Sequence, residues 1–356
     1  MSDATSDPTG DATRGSKPVT IVITPRDRYS KVAQCVEDLF AFTDESLFDL
    51  VILDLGYPSK DLQPALNFLA GKSNYRVFSY GLMIPMEAMS RVRSELQTEL
   101  VVFIDNDTRV LEGWLPPLID AARETGAAVI SPVTLEAAGV DEGEELRTHL
   151  FTNALHVLEV DRKPYLIEHK PFRRALPDEL PTHICDTESF ELHCVMFRVE
   201  ELNDLELPMM TIREHLDIGM QLRLKGKRLI VQPASRVLFD NLGTRARLSD
   251  LRYFNLRWNG RVTKSSSDLF EKRWGYRFYS EQAIYNWAVR RRTFMLLRWL
   301  GAPIGLANLV DRVVGAVRRR IHPVWDPVED PEGKATSLYE RVEGGRVDQL
   351  DHAVSL

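Results

Sequence analysis

Cysteine is scarce in this chain: Cys35, Cys185 and Cys194 are the only three in 356 residues. At least one must stay unpaired and none has metal-ligand spacing, which argues against a disulfide scaffold or a zinc ribbon. Long apolar runs are also missing, since no uninterrupted stretch reaches the roughly 18–20 residues of a membrane helix. The opening MSDATSDPTGDATRG is polar and acidic with no apolar h-region, so a secretory signal is not expected. Nor is there an excess of positive charge: 45 Lys and Arg face 52 Asp and Glu, a net of −7. That balance argues against nucleic acid as a partner. The expectation is a cytoplasmic protein, in solution or peripheral at the inner face of the membrane.

What is present is an ordinary globular composition, 44% hydrophobic and 27% charged, which excludes global disorder. The charge is unevenly placed. Between Gln282 and His322 stand eight arginines against Asp311 alone, whereas from Pro323 onward eight acids face Lys334, Arg341 and Arg346. Residues 1–17 read as a disordered leader and 326–356 as an acidic flexible tail.

Between the tails, short apolar runs alternate with amphipathic stretches. VTIVIT at 19–24, LVILDL at 50–55, residues 75–79, LVVFI at 100–104 and residues 127–130 read as strands. Residues 31–42, 62–69, 86–97 and 114–124 carry helical spacing. This strand–helix alternation predicts an α/β fold with a mostly parallel sheet and helices on both faces. Residues 139–186 read as an irregular, loop-rich substrate region. Strands follow at 192–198 and 229–232, the latter closed by Pro233, with a helix at 214–225. From about residue 248 the pattern turns helical and aromatic, and no internal repeat is present.

Four features carry candidate chemistry. Asp54 ends the second strand, and in open α/β sheets ligands bind beyond the carboxyl ends of strands. A turn-forming Asp before Gly56 is the plainer reading. Asp105-Asn106-Asp107 follows VVFI, where two acids can hold a divalent cation and through it a diphosphate, or simply form an Asx turn. Arg213-Glu214-His215-Leu216-Asp217 opens a helix, where the dipole favours an ionised carboxylate able to act as a base. Acids are favoured at helix starts in any case. Arg257-Trp258 offers a guanidinium for diphosphate oxygens and an indole face for a sugar ring, or an aromatic packed inward.

In this order and context the four features resemble family 2 glycosyltransferases of the nucleotide-sugar-binding GT-A fold, over about residues 18–260. VTIVITPRDR resembles the opening strand and its polar turn, and LVILDLG the strand ending in a nucleoside-binding Asp. VVFIDNDTRVLEGWLPPL is similar to the metal-binding DXD segment, and REHLDIGMQLRLKGKRLIVQPASRV to the acceptor-side segment. The resemblance implies a GT-A (Rossmann-like) catalytic domain at 18–247, with a nucleotide-binding half at 18–135 and an acceptor half at 136–247. A helical C-terminal extension would occupy 248–325. It further implies inverting transfer of a sugar from a nucleoside diphosphate donor, UDP by default, to a glycan or lipid-linked acceptor, assisted by Mg2+ or Mn2+. Asp54 would bind base or ribose, Asp107 the metal, and Asp105 the ribose or a metal-bound water. Arg257 and Trp258 would contact the donor.

Three departures bear on these roles. Relatives carry Glu-Asp where this chain has Glu214-His215, leaving Glu214, His215 and Asp217 as candidate bases, with Glu214 preferred. No His follows VQPASRV as a further metal ligand, and Asp240 is its candidate substitute. Phe254 stands where processive synthases place the Gln of Gln-x-x-Arg-Trp, which counts against a polymerase. His193, within FELHCVMFR, suits either a core position or the acceptor pocket, and Cys194 beside it reads as core packing. The altered Glu214-His215 pair also keeps open a catalytically degenerate protein that binds nucleotide or glycan and organises other transferases. Residues 294–317 are apolar but broken by Arg298, Pro303, Asp311 and Arg312. With the flanking arginines they suit a helix pair on an anionic membrane surface, a cap on the catalytic domain, or a homodimer interface.

Overall fold

The computed structural model describes residues 17–137, 145–240, 247–277, 281–321 and 333–339. The expected leader (1–17), apart from its last residue, and most of the expected tail (326–356) lie outside the described residues.

Strands β1 (Val19–Thr24), β2 (Phe48–Asp54), β3 (Tyr75–Ser79) and β4 (Leu100–Asp105) alternate with helices α1 (Val32–Phe42), α2 (Ser59–Leu69) and α3 (Pro85–Val92). All six residues of β1 and of β4 are buried. That requires cover on both faces of the sheet, and it explains why these strands are apolar runs rather than alternating ones. β1 lies between β2 and β4, parallel to both, and β3 extends the sheet beyond β2. Their carboxyl ends therefore share one edge, where Asp54 and Asp105 emerge.

After β4 come β5 (Thr108–Val110), α4 (Leu115–Thr125) and β6 (Val129–Ala137). The 139–186 region is not the irregular loop the composition suggests. It contains β7 (Leu146–Leu150), β8 (Ala154–Val160), β9 (Lys163–His169) and the two-residue β10 (Cys185–Asp186). β8 alternates polar and buried positions, the pattern of a strand with one face on a core, and it pairs antiparallel with β9. The interleaved polar residues conceal that period.

The remaining elements are β11 (Cys194–Arg198), α5 (Val199–Asn203), α6 (Glu214–Leu224), β12 (Leu229–Phe239), α7 (Asp250–Arg257), α8 (Gly260–Trp274), α9 (Glu281–Trp299), α10 (Ile304–Ile321) and β13 (Thr336–Ser337). β11 runs antiparallel between β4 and β6. β12 does not stop at Pro233. Its register against β6 shifts between Gln232 and Arg236, an irregularity that accommodates a residue with no N–H to donate, and pairing then resumes to Phe239. This continuation pairs Phe239 with Thr108 and brings the Asp240 N–H onto the Asp107 carbonyl at 3.0 Å.

One core runs through the main sheet and includes Tyr253 of α7. A second, containing Leu155, Met210, Phe270, Trp274 and Leu338, joins the β8–β9 hairpin to α8. Leu338 belongs to the stretch expected as flexible tail. There β13 pairs with β8, because an apolar side chain in an acidic stretch still gains by burial. No helix among the described residues is long and apolar enough to cross a membrane.

Candidate active site

Asp54 closes β2 with an Asx turn. Its Oδ1 accepts the Gly56 and Tyr57 N–H groups at 2.9 and 2.8 Å, and its Oδ2 accepts the Ser79 hydroxyl at 3.1 Å. Gly56 sits at φ +90°, a conformation that favours glycine. The turn thus orients the carboxylate at the carboxyl edge of the sheet.

The Asp105-Asn106-Asp107 segment is buried throughout. Asn106 is the structural member, its amide donating to the Arg28 carbonyl while its oxygen accepts the Arg26 N–H at 3.2 Å. Asp105 Oδ2 takes the Arg26 guanidinium at 2.8 Å and His193 Nδ1 at 3.1 Å. Burial favours the neutral acid, but Arg26 and His193 outweigh it and hold the Asp105 carboxyl below the usual range. For His193 the result is reversed: burial and the Arg26 charge push its pKa down to about 3. His193 is therefore a neutral imidazole donating from Nδ1, a fixed positioning contact for Asp105 rather than half of an ion pair. Asp107 has the opposite surroundings to Asp105. Burial, with Asp105 beside it, pushes its carboxyl up to about 7, and its buried Oδ1 has no hydrogen-bond partner.

Glu214 opens α6 directly after Arg213, a non-glycine residue at φ +67°. The Arg213 side chain reaches Ser267 at 2.7 Å, so α8 braces this turn. Glu214 is buried, with Oε2 unpartnered, and lines a cavity together with Arg26, Asp105 and Arg257. Met86, Met89, Leu192 and Met210 form apolar walls of that cavity. Asp217 faces elsewhere. It is fully buried and accepts from Trp274 Nε1 at 2.8 Å and Gln221 at 2.6 Å, and pairs with Arg273 at 2.8 Å. His215 lies 3.7 Å from Glu168. Burial opposes its charged form, yet Glu191, Glu168 and Glu214 prevail and its pKa is raised. Ligand atoms of Glu168, Glu191 and His215 lie within 4.8 Å of one another, but the Lys170 ammonium sits 2.9 Å from Glu191 and already supplies a counter-charge.

Arg257 and Trp258 both donate to Asp27 Oδ1, each at 2.8 Å. Trp258 packs with Phe254 and Met295, so its ring is an internal anchor while the Arg257 guanidinium lines the cavity. Asp240 pairs with Lys31 at 2.6 Å. The cavity thus gathers Asp105, Glu214 and Arg257 from three distant segments. Asp107 and Asp240 adjoin through the backbone, and Asp54 stands at the far strand end.

Three residues escaped the sequence reading, and for His193 it left a core or an acceptor-pocket position open. Arg26 and Asp27 stand in a polar turn directly after a buried strand, a place where they could have been singled out. His193 acquires its partner only through the β4–β11 pairing. Asp250 accepts the Tyr29 and Ser30 N–H groups and the Ser30 hydroxyl from a loop 220 positions away, and nothing local signals it.

The mostly parallel sheet thus carries acids at its carboxyl edge, beside a cavity that joins acids to arginines. Residues 20–187, a little under half of the chain, match the model of glycosyl transferase family 2. No curated protein matches the sequence. Among solved structures, the fold is similar to the crystal structure of GalNAc-T7 with UDP, GalNAc and Mn2+, at 12% identity and a TM-score of 0.51. The match covers 95% of this chain and 58% of that one. The fold is GT-A, followed by C-terminal helices.

Proposed function

We propose that this protein transfers a sugar, with inversion, from a nucleoside diphosphate sugar (UDP-sugar first among donors) to a hydroxyl of a glycan or lipid-linked acceptor. The observation that carries the reading is Glu214: a buried carboxylate with an unpartnered oxygen, facing the same cavity as Asp105, Arg26 and Arg257.

Asp54, oriented by its turn, accepts a hydrogen bond from base or ribose. Arg257, steadied by Asp27, meets the diphosphate. The metal fit rests on Asp107, a buried carboxylate with one oxygen that has no hydrogen-bond partner. Asp107 would hold Mg2+ or Mn2+, which when bound supplies charge neutralisation to the leaving diphosphate, while Asp105 and Asp240 already carry the charges of Arg26 and Lys31. Glu214 removes the acceptor hydroxyl proton as that oxygen attacks the anomeric carbon. Asp217, spent on Trp274, Gln221 and Arg273, anchors α6 and leaves the base role to its neighbour. Arg26 and His193 hold Asp105 in place. Phe254 lies in an apolar cluster, in keeping with a single-addition enzyme.

The test is turnover from a panel of nucleotide sugars with Mg2+ or Mn2+ and glycan acceptors. Transfer by the wild type and its loss in Asp107→Ala are expected. Wild-type-like turnover in Asp107→Ala would refute the metal role. Nucleotide binding without transfer to any acceptor would favour the degenerate, organising protein.

A further inference from the structure

Among the described residues, helix α10 packs against α9 along one side. On that side Ala307 is buried, Gly315 lies so close to α9 that an added Cβ would stand 3.3 Å from the Arg290 side chain, and Arg290 grips Asp311 at 2.6 and 3.0 Å. The side facing away carries Leu306, Leu309, Val313, Val317 and Ile321, spaced three and four apart, each between 48% and 64% exposed. At about 100° per residue these five form one continuous stripe along the helix. Arg312 falls on one flank of the stripe and Arg318 on the other, with Arg320 at its end. Leu296 and Leu300, near the turn into α10, are exposed as well. Together α9 and α10 hold eight arginines and two acids in a chain of net charge −7.

We infer that this face of α10 docks onto an anionic lipid bilayer. Apolar side chains in a narrow stripe, bordered by the exposed Arg312 and Arg320, whose stems can lie along it while their heads reach outward, match the interfacial class of helix and not the spanning class. Charge selects the occupant. A second copy laid on this face would set arginines against arginines, since Asp311 is already engaged by Arg290, and like charges oppose that contact. A surface of anionic headgroups turns the same arginines into attraction. Phe254, Trp258 and Met295 join α9 to α7, so a docked α10 would be packed through to the helix that carries Arg257.

The test is flotation of the full-length protein with neutral phosphatidylcholine vesicles and with vesicles containing phosphatidylglycerol, at low and high salt. Binding to anionic vesicles alone, released by high salt, is expected. Leu309→Asp combined with Val313→Asp should weaken partitioning by about tenfold or more, as should Arg312→Glu combined with Arg320→Glu. All four positions are exposed, and circular dichroism checks that both variants are folded. Absence of binding to anionic vesicles at low salt overturns the inference, as does binding indifferent to both variants. A solution dimer dissociated by the apolar variant, with no vesicle binding, overturns it in favour of a second copy. Transfer to a soluble acceptor is measured without vesicles, so failure here leaves the catalytic reading standing.

Discussion

Glu214 and His215 are adjacent in the chain, yet the helix start turns them to different surroundings, one into the cavity and the other toward Glu168. Replacing Glu214 by Gln keeps the shape and removes the base. Transfer should fall by about 10²–10⁴-fold, the usual weight of general base catalysis, while UDP affinity measured by calorimetry stays near that of the wild type. Equal losses in both would point to a structural role. His215 has a pKa raised above its ordinary 6.5 by three carboxylates acting against burial. Its contribution to stability is therefore fully present below about pH 6.5 and fades as pH rises through the folded value. Thermal melts of the wild type and His215→Gln should differ most at mildly acidic pH and converge as pH rises. A gap that widens with pH would contradict the sign. At this scale the sequence showed which acids were candidates but not which were free to act. Asp217 stayed a candidate beside the preferred Glu214, and only Trp274 and Arg273, over 50 positions away, show it to be occupied.

Helix α7 is clamped to the loop after β1 at both ends. Asp250 holds Tyr29 and Ser30 at one end, and Arg257 with Trp258 holds Asp27 at the other. Arg26 lies in that loop, so α7 organises a wall of the cavity. Asp250→Ala would strand buried N–H groups and should cost about 3 kcal/mol in denaturant unfolding. A change under about 0.5 kcal/mol, the range of ordinary surface substitutions, would show that the clamp is dispensable. Asp27→Ala removes the acceptor shared by Arg257 and Trp258, and it should raise the donor KM more than it lowers kcat. Most elements of residues 18–135 were legible because buried parallel strands are apolar runs. β8 and β9, and the continuation of β12 past Pro233, were not. Their pattern is alternating or interrupted, and their pairing depends on partners distant in the chain.

Across the whole molecule, the β8–β9 hairpin and α8 share a core apart from that of the main sheet, and it is closed by Leu338 from a stretch otherwise rich in acids. Leu338→Ala should destabilise that core by about 2–4 kcal/mol and raise amide exchange in β8, with strands β1 and β4 unaffected. Uniform exchange changes would mean the cores unfold as one unit. The sequence alone determined the α/β class, the glycosyltransferase resemblance, the acids at strand ends and the basic stretch after residue 282, because hydrophobic period and strand-end chemistry are local. Only the tertiary structure decided that His193 serves Asp105, that Asp217 is an anchor, that Trp258 packs inward, and that one face of α10 is left uncovered. Those outcomes depend on which partner reaches a side chain first, and burial and hydrogen bonding between remote segments set that choice. Scarce cysteine and the missing apolar run excluded whole classes of protein at the outset. The single unpartnered carboxylate oxygen of Glu214 became informative only once the fold had closed around it.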